Sequence, residues 1–332
     1  MRNAMIWMTV VALVVVIGGC AHTQKEAATP VKAKEAAMAA NGSAELALKY
    51  AVGQTGNYKV ISESWRTAKF EGPELSKEPK LKSGRTGGAM EMVCSQEVTN
   101  VNPDGSAVAK VTVKAFKYKS ESSSEVTNDF DSAKDADKTK PFAKLIGQSY
   151  MIKLTPDGKA DVVDAAAIRG AITEGSAKDV VAALFSDKEI ARLHTITALP
   201  TEPKQKVGGT WSVTELSPKG MMDSKNFEKV YTFKEIKDGS DIVEMKAVPS
   251  TKPAEKGEVN NQAMMMSMFS NMMESKNDFT GKLVLGADGT LKSYNETLNA
   301  QWFATDPQAK PDKEPDKITM GFVQKHAIKK VN

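Results

Sequence analysis

The chain has 332 residues, 26% of them charged and 41% hydrophobic, with 45 basic and 41 acidic side chains and a formal net charge of +4. Bases and acids alternate along it, so the concentrated basic surface of a nucleic-acid binder is absent. Only two cysteines occur, Cys20 and Cys94, which excludes a disulfide-stapled scaffold.

Arg2 precedes an apolar run from Ala4 to Ile17 that ends in "VVIGGCAH". A charged start, a run of this length and small residues at the cut site form a secretory signal, too short for a spanning helix. Ile17, Gly18, Gly19 and Cys20 resemble the bacterial lipoprotein box. That resemblance implies removal of residues 1–19, diacylation of Cys20 and N-acylation of the new first residue. Three acyl chains exceed the two signals that stable anchoring requires, so the membrane is the first expected partner. Ala21 stands where an inner-membrane retention signal would place Asp, and by analogy this favours the periplasmic face of the outer membrane, with the inner membrane as alternative. After Cys20, residues 21–43 are rich in Ala, Lys and Glu without apolar periodicity and read as a flexible tether.

From residue 44 onward the chain reads as antiparallel sheet. "NPDGS" at 102–106, "TPDGK" at 155–159, "IKDGS" at 236–240 and "GADGT" at 286–290 are hairpin turns, because Gly accepts the positive φ that they require and Asp tolerates it. Segments of period two flank each turn. Before the first, Met90, Met92, Cys94 and Val98 share a face opposite Glu91, Ser95, Glu97 and Thr99, which makes Cys94 a core thiol. "VGQTGNYKV" at 52–60 is echoed by "VGGTWSV" at 207–213. This repetition predicts two similar halves, 44–165 and 201–332, packed as one domain around a helical insertion at 166–200.

Within the insertion, helical spacing is broken at Gly170 and Gly175. Ser176 with Asp179 three residues later is the expected cap of the piece after Gly175, and Val180, Val181, Leu184 and Phe185 form its apolar stripe. "KPFAKLIGQ" is a short helix before it, and Pro200 and Pro203 close the region.

"AMMMSMFSNMM" at 263–273 is the most unusual stretch. At 100° per residue Met264, Met265, Met266, Met268, Phe269, Met272 and Met273 fall within about 200° of helix surface, with Ser267, Ser270 and Asn271 opposite. Methionine adapts to irregular partners, so the segment is expected to line or cover an apolar ligand site, or to fill the core. A partner or lipid contact is a further use of the same face. Copper is the sharper alternative, since Met264, Met268 and Met272 at i, i+4 spacing would present soft thioethers on one side. No His or Cys lies in the segment.

Other chemistry is sparse. His194 ends a helical piece and is expected to cap it or to be partly buried. His326 continues the alternation of Ile318, Met320, Phe322 and Gln324 and is expected on the inner face of the last strand. No G-x-S-x-G, H-E-x-x-H or Gly-rich phosphate loop is present. Asp157 and Asp288 belong to turns, and no acid stands out on an apolar face.

The signal with Cys20, "LKYAVGQTGNYKV", "GQSYMIKLTPDGKADVV", "LPTEPKQKVGGTWSV" and "GKLVLGADGTLKSYN" resemble an uncharacterised family of bacterial lipoproteins. With about a dozen strands and helices between them, the chain is also similar at fold level to the periplasmic lipoprotein carriers typified by LolA and LolB, half-barrels with a helical lid over a lipid cavity. The expected fold is therefore mainly β with inserted helices, an antiparallel curved sheet or half-barrel with helices on its concave side. The expected role is non-catalytic binding of a lipid, acyl chain or lipoprotein, without cofactor or nucleic acid. A structural or protein-interaction lipoprotein is the alternative.

Overall fold

A computed structural model describes residues 42–78, 81–218, 221, 226–250, 273–305 and 315–332. Cys20 and the Met264–Met272 stretch lie outside the described residues, so the expected lipidation and the expected Met-rich helix fall beyond this description.

The first run of strands is β2 (Thr55–Glu71), β3 (Gly84–Val101), β4 (Ala107–Ser122), β5 (Glu125–Asp131), β6 (Ser149–Leu154) and β7 (Ala160–Asp164). The second is β9 (Thr210–Glu215), β10 (Asn226–Lys237), β11 (Ser240–Ser250), β12 (Glu274–Gly286), β13 (Leu291–Thr305) and β14 (Lys317–Val331). Together they make one 12-stranded antiparallel sheet, open and curved, in the order β7-β6-β4-β3-β2-β14-β13-β12-β11-β10-β9, with β5 added alongside β4. Two further strands, β1 (Ser43–Glu45) and β8 (Lys204–Lys206), pair with each other. This is the mainly β architecture with inserted helices that the alternation predicts.

The four Asp-Gly turns connect β3 to β4, β6 to β7, β10 to β11 and β12 to β13. Each glycine has positive φ, and at the third turn Asp238 joins Gly239 in that region, as a two-residue I′ connection requires.

The strand order explains where the helices must go. β2 starts at the middle of the sheet and the first run proceeds outward to β7, one edge. The second run starts at the opposite edge, β9, and returns to the middle, where β14 pairs with β2 from Lys317↔Glu71 to Val331↔Asn57. Residues 165–209 therefore have to carry the chain from one edge to the other. They do so as α1 (Ala166–Gly170), α2 (Ser176–Leu184) and α3 (Asp187–His194), followed by an extended strap that reaches β8.

The strap is held by its neighbours' backbone. Ile196 N–H donates to Gly158 C=O at 2.8 Å, and a Cβ on Gly158 would stand 2.4 Å from Ile196 O, so the turn that begins as a hairpin signal also seats the crossing segment. On the helices' side, Phe185 lies 6.2 Å from Phe116 and 6.3 Å from Tyr150 between ring centroids, contacts worth about 0.5–1.5 kcal/mol each beyond their buried area.

Local details differ from the expectations. Gly175, at φ 74°, rather than Ser176 is the N-cap of α2, and Ser176 already lies inside the helix with no side-chain cap formed. The serine cap belongs to α3, where Ser186 accepts from Glu189 N–H. "KPFAKLIGQ" forms a 3-10 turn, Pro141–Leu145. Cys94 is buried as expected. No helix among the described residues is long and apolar enough to cross a membrane.

Candidate functional site

The inner face, which carries the helices and strap, gathers most of the buried polar chemistry. One row of residues crosses it in register: Tyr231, Met245, Gly281, Glu296, His326, Ser62, Met90 and Tyr118. The adjacent row runs Lys229, Ala247, Phe279 and Leu298. Lys229 and Glu296 are thus two charges set among aromatic and aliphatic neighbours on one face.

Lys229 is 1% exposed. Its Nζ lies 2.7 Å from Glu296 Oε2, is also paired with Glu215, and stands 4.8 Å above the Phe279 ring. Burial by itself would depress the lysine pKa, but the Glu296 and Glu215 carboxylates outweigh it and hold the ammonium above its usual value. For Glu296, burial pushes the pKa upward, and the Lys229 charge together with hydrogen bonds overcomes it and keeps the carboxylate ionised.

The bond between these two residues also measures the curl of the sheet. They lie on β10 and β13, three strand spacings apart, or about 14 Å in a flat sheet. A direct ion pair at 2.7 Å requires the strands to bend toward one another on this face. Gly281 stands beside Glu296 on the intervening strand β12, and a side chain there would approach Glu296 Cγ at 3.2 Å and Met245 Cε at 3.1 Å.

The strap completes the cluster. Thr197 Oγ1 donates to Glu296 Oε1 at 2.9 Å and shares hydrogen bonds of 2.9 Å with the hydroxyls of Tyr231 and Tyr294. His326 Nε2 donates to Leu193 C=O at 3.2 Å, and Arg192, paired with Glu189, donates to Ser62 Oγ. Nearby, Tyr150 Oη and His194 Nε2 are 2.7 Å apart. Burial depresses the histidines to about 3 at His194 and about 4 at His326, so both are neutral at physiological pH. Burial raises the tyrosine hydroxyls of Tyr231 and Tyr294 above their usual range. Each of these groups is thereby fixed in one protonation state, which suits a clasp between strap and sheet.

Away from the clasp the same face carries Trp211, Phe227, Asn277, Ala300, Trp302 and Phe322. Trp211 stacks on Tyr231 at 5.8 Å, and Phe227 meets Phe279 edge-on at 5.5 Å. Among the described residues, the Nε1 atoms of Trp211 and Trp302 and the Oδ1 of Asn277 are buried with no hydrogen-bond partner. Trp302 pairs with Ser275, two residues from Asn277, so both polar atoms belong to one neighbourhood.

His326 lies on the inner face as expected, whereas His194, expected to cap its helix or to be partly buried, ends α3 fully buried against Tyr150. Met273, the described end of the Met-rich stretch, is half-buried and packs against the core. Met264, Met265, Met268, Phe269 and Met272 lie outside the described residues. Glu296 corrects the expectation that no acid stands on an apolar face. Its signal is readable: Tyr294, Glu296, Leu298, Ala300 and Trp302 alternate, as do Phe227, Lys229, Tyr231 and Phe233, and a charge inserted into each series marks a charged side chain on a buried face.

Residues 104–280, more than half of the chain, match DUF6263, a family of unknown function. The chain belongs to this family. No curated protein matches this DUF6263 chain. Among solved structures it is similar to MucB in complex with MucA(peri), at 10% identity over 79% of this chain and 88% of that one, with a TM-score of 0.12, a likeness too slight to carry an argument.

Proposed function

We propose that this DUF6263 protein is a lipid-anchored envelope protein, fixed through Cys20 to the periplasmic face of the outer membrane, that holds an apolar ligand such as a lipid or acyl chain by non-covalent contacts. The observation that carries this reading is the set of unpartnered polar atoms on the aromatic inner face. A buried N–H or carbonyl without a partner costs about 1–3 kcal/mol, and Trp211, Trp302 and Asn277 each carry one. A mostly apolar wall with a few convergent polar groups is the usual composition of a small-molecule site. Met273 borders this face, which is consistent with a ligand-contacting role for the Met-rich stretch.

A second reading is favoured by the packing under the strap. The cavity bounded by Leu48, Tyr58, His194, Ile196 and Ile328 has a volume of about 40 Å³, room for water and not for an acyl chain. On this reading the protein is a structural or interaction lipoprotein whose inner face is simply core.

Native mass spectrometry of the full chain, extracted from membranes in mild detergent, separates the two, combined with lipid extraction of the same sample. Ligand beyond the covalent anchor, reduced by Trp302→Phe and Met273→Asp while the protein stays folded, is expected for the first reading. A mass equal to the acylated chain alone supports the second.

A further inference from the structure

The opposite face of the second half is also hollow. The outer face of β10 to β13 carries an open depression of about 670 Å³. Its walls carry the exposed apolar side chains of Val230 and Val248, together with Lys234, Lys246, Lys282 and one carboxylate, Glu244. Glu244 is 3.6 Å from Lys234. Lys246 and Lys282 are left without an ion pair among the described residues, on adjacent strands and in successive rows, Lys246 in that of Thr280 and Lys282 in that of Glu244.

We infer that this hollow binds the head group of an anionic lipid, with Lys246 and Lys282 on the phosphate and Val230 and Val248 against the start of the acyl chains. Three lysines against the single carboxylate of Glu244, which Lys282 faces across the strands and Lys234 pairs with, leave a net positive charge beside apolar side chains, and this fits a molecule that carries a negative charge next to hydrocarbon. Geometry allows it. Cys20 and Gly42 are separated by a tether whose extended reach is about 75 Å, so a domain anchored there cannot leave the neighbourhood of lipid head groups. The high local concentration makes even a weak site occupied. This supply of lipid rests on the anchor proposed above; the site itself does not.

The test titrates the full chain in neutral detergent with dihexanoyl phosphatidylglycerol, dihexanoyl phosphatidylcholine and inorganic phosphate, following the lysine and valine side-chain resonances. Phosphatidylglycerol is expected to bind, with phosphatidylcholine at least about 10-fold weaker. The double variant Lys246→Glu/Lys282→Glu should lose the difference, while its urea midpoint stays unchanged because both residues are exposed. Inorganic phosphate binding as well as phosphatidylglycerol would reassign the hollow to free phosphate. Equal binding of the two lipids, or a double variant that behaves like the parent, would overturn the proposal. Failure of the inner-face reading is seen separately, as a native mass equal to the acylated chain alone in parent and double variant alike.

Discussion

Lys229 on β10 and Glu296 on β13 form an ion pair at 2.7 Å across two intervening strands. That bond joins the curl of the sheet to the seating of the strap, because Glu296 also accepts from Thr197. Removing one partner leaves a buried charge without compensation. Lys229→Met is expected to destabilise the fold by about 3–5 kcal/mol, whereas Lys229→Met/Glu296→Leu recovers most of that loss. Chemical denaturation of the single and double variants checks it; equal losses would show that the pair is not coupled.

Acid should weaken the fold before the carboxylates titrate. His194 and His326 have folded pKa values of about 3 and about 4, below the ordinary 6.5. A group with a depressed folded pKa stabilises above its unfolded pKa and loses that contribution as pH falls. The unfolded chain therefore takes up protons first, and stability declines from pH 6.5 downward, by about 2 kcal/mol per histidine at pH 5. Urea midpoints measured between pH 7.5 and 5 are expected to fall, and His326→Gln should flatten the slope by roughly half in that window.

Gly158 combines φ 86° with a Cβ position 2.4 Å from Ile196 O. Gly158→Ala is expected to cost more than about 2 kcal/mol, since both the left-handed backbone and the strap contact oppose a side chain. Hydrogen exchange at the Ile196 amide, which bonds Gly158 C=O, should rise most. An unchanged Ile196 would mean that the strap is held from elsewhere.

The Cys94 thiol is buried, and burial pushes its pKa up to about 12. It is expected to resist thiol reagents in the native state. After unfolding, a membrane-extracted protein acylated at Cys20 should expose one reactive thiol, and an unacylated one two. Counting labels by intact mass before and after denaturation therefore tests both the core position of Cys94 and the lipid anchor.

Much of the sheet is legible in the chain because its signals are local. An Asp-Gly pair between alternating runs needs only its own backbone to dictate a turn, so the four hairpins follow from the residues themselves, and the same period of two places Cys94 and His326 on the inner face. The cap of α2 falls on Gly175 and not on Ser176 because a glycine at positive φ competes with the serine, and nearest-neighbour chemistry does not rank the two. The clasp was half visible: Lys229 and Glu296 each interrupt an apolar series, but nothing in the series says that they meet.

By itself, then, the sequence determined the antiparallel class, the turns, the helical insertion and the alternation of each strand, all properties of neighbours along the chain. Tertiary structure decided the rest. Whether β14 closes on β2, which edge receives β9 and how far the strap must travel depend on strand order. The 2.7 Å approach of Lys229 to Glu296, the unpartnered indoles and the hollow beside Lys246 and Lys282 depend on the twist and curl of the whole sheet. Those arise only when residues far apart in sequence share a surface, and no local period encodes them.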